Sequence, residues 1–167
     1  MENLSGRIIK GYELRKLIGQ GGFGAVYLAT QRLIGREVAV KIILPQYANQ
    51  PDFIRRFETE AQLIARLEHP HIVPLYDYWR EPSGAYLVMR YLRGGSLSDS
   101  LRDHGPWSPE KTAETLAQIA SALAVAHRQN VIHRDLKPEN ILLDELGNGY
   151  LSDFGIAKDL GGRDELT

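Results

Sequence analysis

The sequence predicts an α+β fold with a β-rich first half and a mainly helical second half. Three observations carry this. Short runs rich in β-branched and aromatic residues gather before residue 91. Apolar residues recur at helical spacing over residues 51–67 and again over 109–129. Between the halves, Leu92-Arg93-Gly94-Gly95 reads as a linker.

The elements follow in order. Residues 12–18 and 25–29 read as strands around a glycine cluster, and 37–44 (EVAVKIIL) as a third, with Gly35 at the turn before it. Pro51 opens a helix to about residue 67, with Phe53, Phe57, Ala61 and Ile64 on one apolar face. His69-Pro70 ends it, and His69 and His71 read as a turn pair around the proline. Residues 72–79 and 85–91 form a second strand pair, turned by Pro82-Ser83-Gly84. Ser108 caps the long second-half helix, Pro109 takes its first position and Glu110 lies in its first turn. Ala113, Leu116, Ala120, Leu123 and Ala124 are expected to face inward, and Asn130 to stop the helix in a left-handed conformation. Gly147-Asn148-Gly149 marks a hairpin turn. The expected boundaries are an extension over 1–11, a β-rich unit over 12–91 and a helical unit over 92–167.

Composition narrows the function. The 167 residues are 43% hydrophobic and 25% charged, ordinary for a packed globule and unlike a disordered chain. Twenty basic side chains against 21 acidic ones leave a net charge of −1, which argues against nucleic acid as the main partner. Cysteine is absent, so disulfides, thiolate metal sites and thiol chemistry are excluded. That suits a reducing cytosol. Neither a secretory h-region nor an apolar run long enough for a membrane helix is expected.

Three features carry chemistry. Gly19-Gln20-Gly21-Gly22-Phe23-Gly24 is followed by a strand, Ala25-Val26-Tyr27-Leu28-Ala29, where a dinucleotide-binding loop needs a helix. It reads as a glycine flap between antiparallel strands, whose backbone N–H groups can approach phosphate oxygens. Lys41 lies inside an apolar strand. Glu60 lies on the apolar face of the following helix, where a carboxylate needs a cationic partner. Lys41 is the candidate, and the pair would aim the lysine at a phosphate. The third feature is His133-Arg134-Asp135-Leu136-Lys137-Pro138-Glu139-Asn140, followed by Asp153-Phe154-Gly155. Asp135 can accept a hydroxyl proton, Lys137 can neutralise phosphoryl charge, and Asn140 and Asp153 offer hard oxygens suited to Mg²⁺.

Together these motifs, in this order and with Val38-Ala39-Val40-Lys41 between them, resemble the protein kinase superfamily, in the style of bacterial eukaryotic-like Ser/Thr kinases. The resemblance covers nearly the whole chain from Tyr12. It implies a two-lobed kinase-like fold, with a β-rich N-lobe and an incomplete, mainly helical C-lobe. It implies that Gly19, Gln20, Gly21, Gly22, Phe23 and Gly24 cover the ATP phosphates, and that Lys41 contacts them while paired with Glu60. Asp135 would be the catalytic base, aided by Lys137, and Asn140 and Asp153 would hold Mg²⁺. Val26, Ala39 and Leu142 would sandwich the adenine, Met89 would back the pocket, and the backbone of Arg90, Tyr91 and Leu92 would form the hinge. Arg90 stands where an acid is more usual, which a backbone-mediated hinge tolerates. Leu75, Ile64, Phe154 and His133 match the family's hydrophobic column. Lys137-Pro138-Glu139-Asn140 favours Ser/Thr over Tyr acceptors. Arg134 implies control by a phosphate on the activation segment, with Thr167 one candidate acceptor.

The resemblance further implies a chain that stops inside its activation segment, before the platform for a protein substrate. Little activity and reduced stability are therefore expected of these residues alone. A nucleotide-binding regulatory module without turnover is the competing expectation. A dinucleotide-dependent oxidoreductase is a remote third, resting on the glycine loop only.

Overall fold

In a computed structural model, which describes residues 3–155, the chain divides into two compact units. One holds residues 3–65 with Leu75–Tyr91, the other Arg66–Pro74 with residues 92–155.

The first unit is built on a six-stranded antiparallel sheet. Its strands are β1 (Ile8–Ile9), β2 (Tyr12–Gly21), β3 (Gly24–Gln31), β4 (Arg36–Ile43), β5 (Leu75–Glu81) and β6 (Gly84–Arg90), in the order β1-β2-β3-β4-β6-β5. Residue alternation along the strands sorts side chains onto two faces. One face gathers Leu14, Ala25, Tyr27, Val38, Val40, Ile42 and Val88 into a buried core. Tyr12, near one edge, stacks on Trp79 of the other edge strand at 5.9 Å, and its hydroxyl donates to Asp77 Oδ2 at 3.2 Å. The sheet is therefore curled until β2 meets β5. Burial, and then the Asp77 charge, hold the Tyr12 hydroxyl above the usual tyrosine range.

The segment before β2 belongs to this core. Leu4 and Ile9 pack against it, β1 pairs with β2, and the Leu4 N–H donates to the buried Tyr27 hydroxyl at 3.1 Å. Two helices complete the unit, α1 (Pro45–Ala48) and α2 (Pro51–Ala65). Phe53, Phe57 and Ala61 of α2 are buried as its periodicity predicts, while Ile64 is half-buried. The second strand pair starts later than its apolar run suggests. Ile72 belongs to the second unit, where it forms a parallel bridge with Leu151, so β5 begins at Leu75.

The second unit contains α3 (Leu97–His104), α4 (Pro109–Arg128), a 3-10 turn at Pro138–Asn140, and a hairpin of β7 (Ile141–Leu143) and β8 (Gly149–Leu151). The expected linker is docked there: Gly94 N–H donates to Leu143 O at 2.9 Å, and Leu143 N–H donates to Gly95 O at 2.8 Å. A Cβ on Gly94 would lie 2.6 Å from Leu143 O, so glycine is required for this approach. Sequence reading did not anticipate α3, although Ser96 and Asp99 form a reciprocal capping box at its start. Hydrogen bonds from Ser96 hold the Asp99 carboxyl below its ordinary range.

The inward face of α4 needs correction. Ala113, Leu116, Ala120 and Ala124 are exposed and Leu123 is half-buried, whereas Thr115, Ile119, Ala122 and Ala126 are buried. The reason is Gly149. Without a side chain there, β8 comes so close that an added Cβ would meet Thr115 Cγ2 at 2.9 Å and Ile119 Cδ1 at 3.6 Å. Ser108 caps α4 through Lys111 N–H, and Asn130 is left-handed with φ of 59°, both as expected.

Candidate active site

In the first unit, register places the flap and Lys41 on the sheet face opposite the aromatic core. Gly19 pairs with Val26, Val26 with Lys41, Lys41 with Leu87, and Ala39 with Met89. Directly paired residues share a face, so Gly19, Val26, Lys41 and Leu87 form one row. Tyr78 pairs with Leu87 and meets Phe57 of α2 edge-on at 6.1 Å. The helix bearing Glu60 therefore packs on the face that carries Lys41. Glu60 is half-buried between the buried Phe57 and Ala61.

The flap has an anchored root and an open tip. Gly21 pairs with Gly24 across its end. A Cβ on Gly24 would lie 1.9 Å from Ile42 O, so β3 presses directly on β4 there. A Cβ on Gly21 or Gly22 would meet nothing within 4 Å. Open backbone at the tip is what an incoming phosphate requires. Phe23 is 36% exposed, and Arg90 is exposed at the end of β6.

In the second unit, the loop 133–140 is organised around buried His133. Its Nε2 lies 2.6 Å from Ser152 O, and its Nδ1 accepts from the Asp135 N–H at 3.2 Å. The ring sits 4.8 Å from the Phe154 ring, and His133 O accepts from Gly155 N–H at 3.2 Å. Histidine here joins the loop to the Asp153-Phe154-Gly155 segment. Arg134 and Asp153 both have left-handed backbones, with φ of 63° and 55°. Strained non-glycine residues of this kind persist where surrounding contacts enforce them.

The loop converges on Asp135. Buried Asn140 donates through Nδ2 to Asp135 O at 2.8 Å and to Asp135 Oδ2 at 3.1 Å. Lys137 Nζ stands 3.5 Å from the same Oδ2. Asn140 O in turn accepts from Ser152 N–H at 2.9 Å and from Ser152 Oγ at 3.1 Å. The structure thus brings Asp135, Lys137 and Asn140 together. Leu142 lies in β7, next to the isolated bridge it makes with Ser96. Leu92 is buried and Tyr91 half-buried. Ile64 and Leu75 belong to the first unit, and His133 and Phe154 to the second. Thr167 and the segment after Gly155 lie outside the described residues. Ser152, which ties Asn140 to the rest of the loop, escaped sequence reading; its place immediately before Asp153 was the available signal.

The donor chemistry at Asn140 and Asp153 fits a hard divalent cation. Asn140 commits its amide N–H to Asp135, which leaves the amide oxygen as ligand, and Asp153 adds a carboxylate. Among the described residues no three His, Cys, Asp or Glu side chains gather as a metal cluster.

The profile of the protein kinase domain matches residues 12–167. This chain belongs to the protein kinase domain family. It is 45% identical over 155 residues to the serine/threonine-protein kinase PrkC of Bacillus subtilis (strain 168), covering 92% of this chain and 24% of that protein. It is 44% identical to the serine/threonine-protein kinase PknD of Mycobacterium tuberculosis (strain ATCC 25618 / H37Rv), covering 88% of this chain and 22% of the relative. With PknH of the same strain the identity is 41%, over 87% of this chain and 23% of the relative. The chain spans about a quarter of the length of the curated relatives it matches. Among the described residues no helix is long and apolar enough to cross a membrane.

Proposed function

We propose that this chain is the nucleotide-binding and catalytic part of an ATP-dependent protein serine/threonine kinase acting in signalling in the cytoplasm. The observation that carries the reading is the convergence of Asn140 and Lys137 on one carboxylate oxygen of Asp135. A carboxylate so held is oriented for one proton transfer.

The roles follow from chemistry. The acceptor Ser or Thr oxygen attacks the γ-phosphorus of ATP, and its proton passes to Asp135. The bond from the γ-phosphorus to the β,γ-bridging oxygen breaks, and ADP leaves. Lys137 offsets charge on the transferring group, and Lys41, with Glu60 as its partner, holds the nucleotide phosphates under the flap Gly19–Gly24. Val26, Ala39, Met89 and Leu142 provide apolar surface for adenine, and the backbone of Arg90, Tyr91 and Leu92 its polar edge. Asn140 and Asp153 would hold Mg²⁺, which when bound neutralises phosphate charge. Each assignment is positional: these side chains align groups and compensate charge.

The test is Asp135→Ala in the full-length protein. Phosphate transfer to a Ser/Thr substrate falls by at least about a hundredfold, the contribution of a positioned base, while ATP binding persists. Retained transfer would remove Asp135 as the base. A wild-type protein that binds ATP and transfers nothing would return the chain to the regulatory-module reading.

A further inference from the structure

The glycine flap has a tether that none of its assigned residues explains. Phe23, the one large side chain at its tip, is held twice by the short segment after β4. Its carbonyl accepts from Leu44 N–H at 3.0 Å, and its ring meets the Tyr47 ring edge-on, with centroids 5.0 Å apart and planes at 62°. Tyr47 lies in α1, which is itself fixed. Ala48 is fully buried, and Asn49, which caps the helix, donates through Nδ2 to Pro82 O at 3.0 Å in the turn between β5 and β6. A rigid path therefore runs from the end of the sheet through α1 and Tyr47 to Phe23. At the tip itself, a Cβ on Gly21 or Gly22 would meet nothing within 4 Å.

We propose that Tyr47 is a positioning residue for the glycine flap, acting through Phe23 to hold it ready for the nucleotide phosphates. The proposal rests on the kinase reading above. Two adjacent glycines make a tip with many accessible conformations. A flap that must be ordered each time ATP binds reduces apparent affinity by the fraction of time it is out of place. The aromatic contact lowers that cost before the nucleotide arrives. It touches no reacting atom, so its loss weakens substrate and transition state equally. That signature is a raised KM with unchanged kcat.

The experiment uses full-length wild type, Tyr47→Ala, Tyr47→Leu and Tyr47→Phe. It reads steady-state kinetics in ATP and hydrogen exchange at the Phe23 and Gly24 amides without nucleotide. An edge-on aromatic pair is worth enough to predict a KM for ATP raised about three- to tenfold in Tyr47→Ala. Its kcat should stay within about twofold of wild type, and exchange at the flap should quicken. Tyr47→Phe keeps the ring and should match wild type in both readouts. Tyr47→Leu keeps apolar bulk without the ring, and should show the same KM rise even where the alanine variant fails to fold. Wild-type KM and wild-type exchange in Tyr47→Leu would overturn the proposal. So would a fall in kcat at unchanged KM, or a Tyr47→Phe variant as impaired as Tyr47→Ala. Wild type that binds no ATP would defeat the kinase reading instead, and exchange at the flap would still decide whether Tyr47 holds it.

Discussion

Single atoms decide how the flap is built. Gly24 and Gly21 are indistinguishable in a motif, yet their surroundings differ completely. An added methyl at Gly24 would be driven into Ile42 O at 1.9 Å, whereas at Gly21 it would project into open space. The colliding atom is strand backbone, which cannot rotate away as a flexible side chain would. Gly24→Ala should therefore destabilise the protein by about 1–3 kcal/mol, the range for overpacking. Gly21→Ala should leave the denaturation midpoint unmoved. Equal midpoints for the two variants in urea would show that β3 does not press on β4 as described. The same scale explains why the chemistry of the site was legible early. Lys41, Asp135, Lys137, Asn140 and Asp153 announce themselves by residue type in a fixed order, and no packing detail is needed to find them. Contacts such as His133 to Ser152 and Phe23 to Tyr47 join residues far apart in sequence and carry no spacing signal.

Elements show where sequence reading stops. Runs rich in β-branched and aromatic residues point to β2, β3, β4 and β6, because such side chains suit the pleated surface of a sheet. Alpha helix α4 was recovered in extent and not in phase. It carries small or apolar residues around most of its circumference, so only the close approach allowed by Gly149 selects Thr115 and Ile119 as the inner face. In sequence the segment Arg66–Pro74 reads as a turn and a strand start, and the structure groups it with the second unit. There His69 Nδ1 accepts from His71 N–H at 3.0 Å, its Nε2 meets Ser121 Oγ of α4 at 3.0 Å, and His71 Nδ1 meets Gly149 O at 2.9 Å. A second proton on His69 would occupy the nitrogen that accepts from His71. Burial, and then His71 and Arg128, lower its pKa below the ordinary 6.5. The folded state thus binds this proton less readily than the unfolded chain does. Its contribution is complete above the ordinary value. It declines as pH falls through 6.5 and levels off once the folded imidazole also charges. Urea midpoints taken from about pH 8 to about pH 5 should fall more steeply for wild type than for His69→Asn. The amide oxygen of Asn has no proton to gain there. Parallel pH profiles would rule His69 out as the responsible group.

At the scale of the whole molecule, each unit has a buried core of its own and exposed apolar residues of its own. In the first unit the curled sheet buries its aromatic core, and Leu4 and Ile9 pack against it. The second unit leaves one side of its longest helix uncovered. Ala113, Leu116, Ala117, Ala120 and Ala124 recur at three- and four-residue spacing on α4, all are exposed, and Leu116 is 61% exposed. A contiguous apolar stripe of this kind is uncommon on a soluble surface. The 167-residue chain should therefore bind an apolar fluorescent dye in its folded state. Leu116→Glu should lower that signal without lowering stability by more than about 0.5 kcal/mol, because the side chain already meets water. Ile119→Glu, three residues further along the helix, should instead unfold the second unit, since it forces a charge into the space between α4 and β8. The comparison tests the corrected phase of α4 and the exposed stripe together. If Leu116→Glu proves as disruptive as Ile119→Glu, or leaves dye binding unchanged, the outer face of α4 is not the surface described.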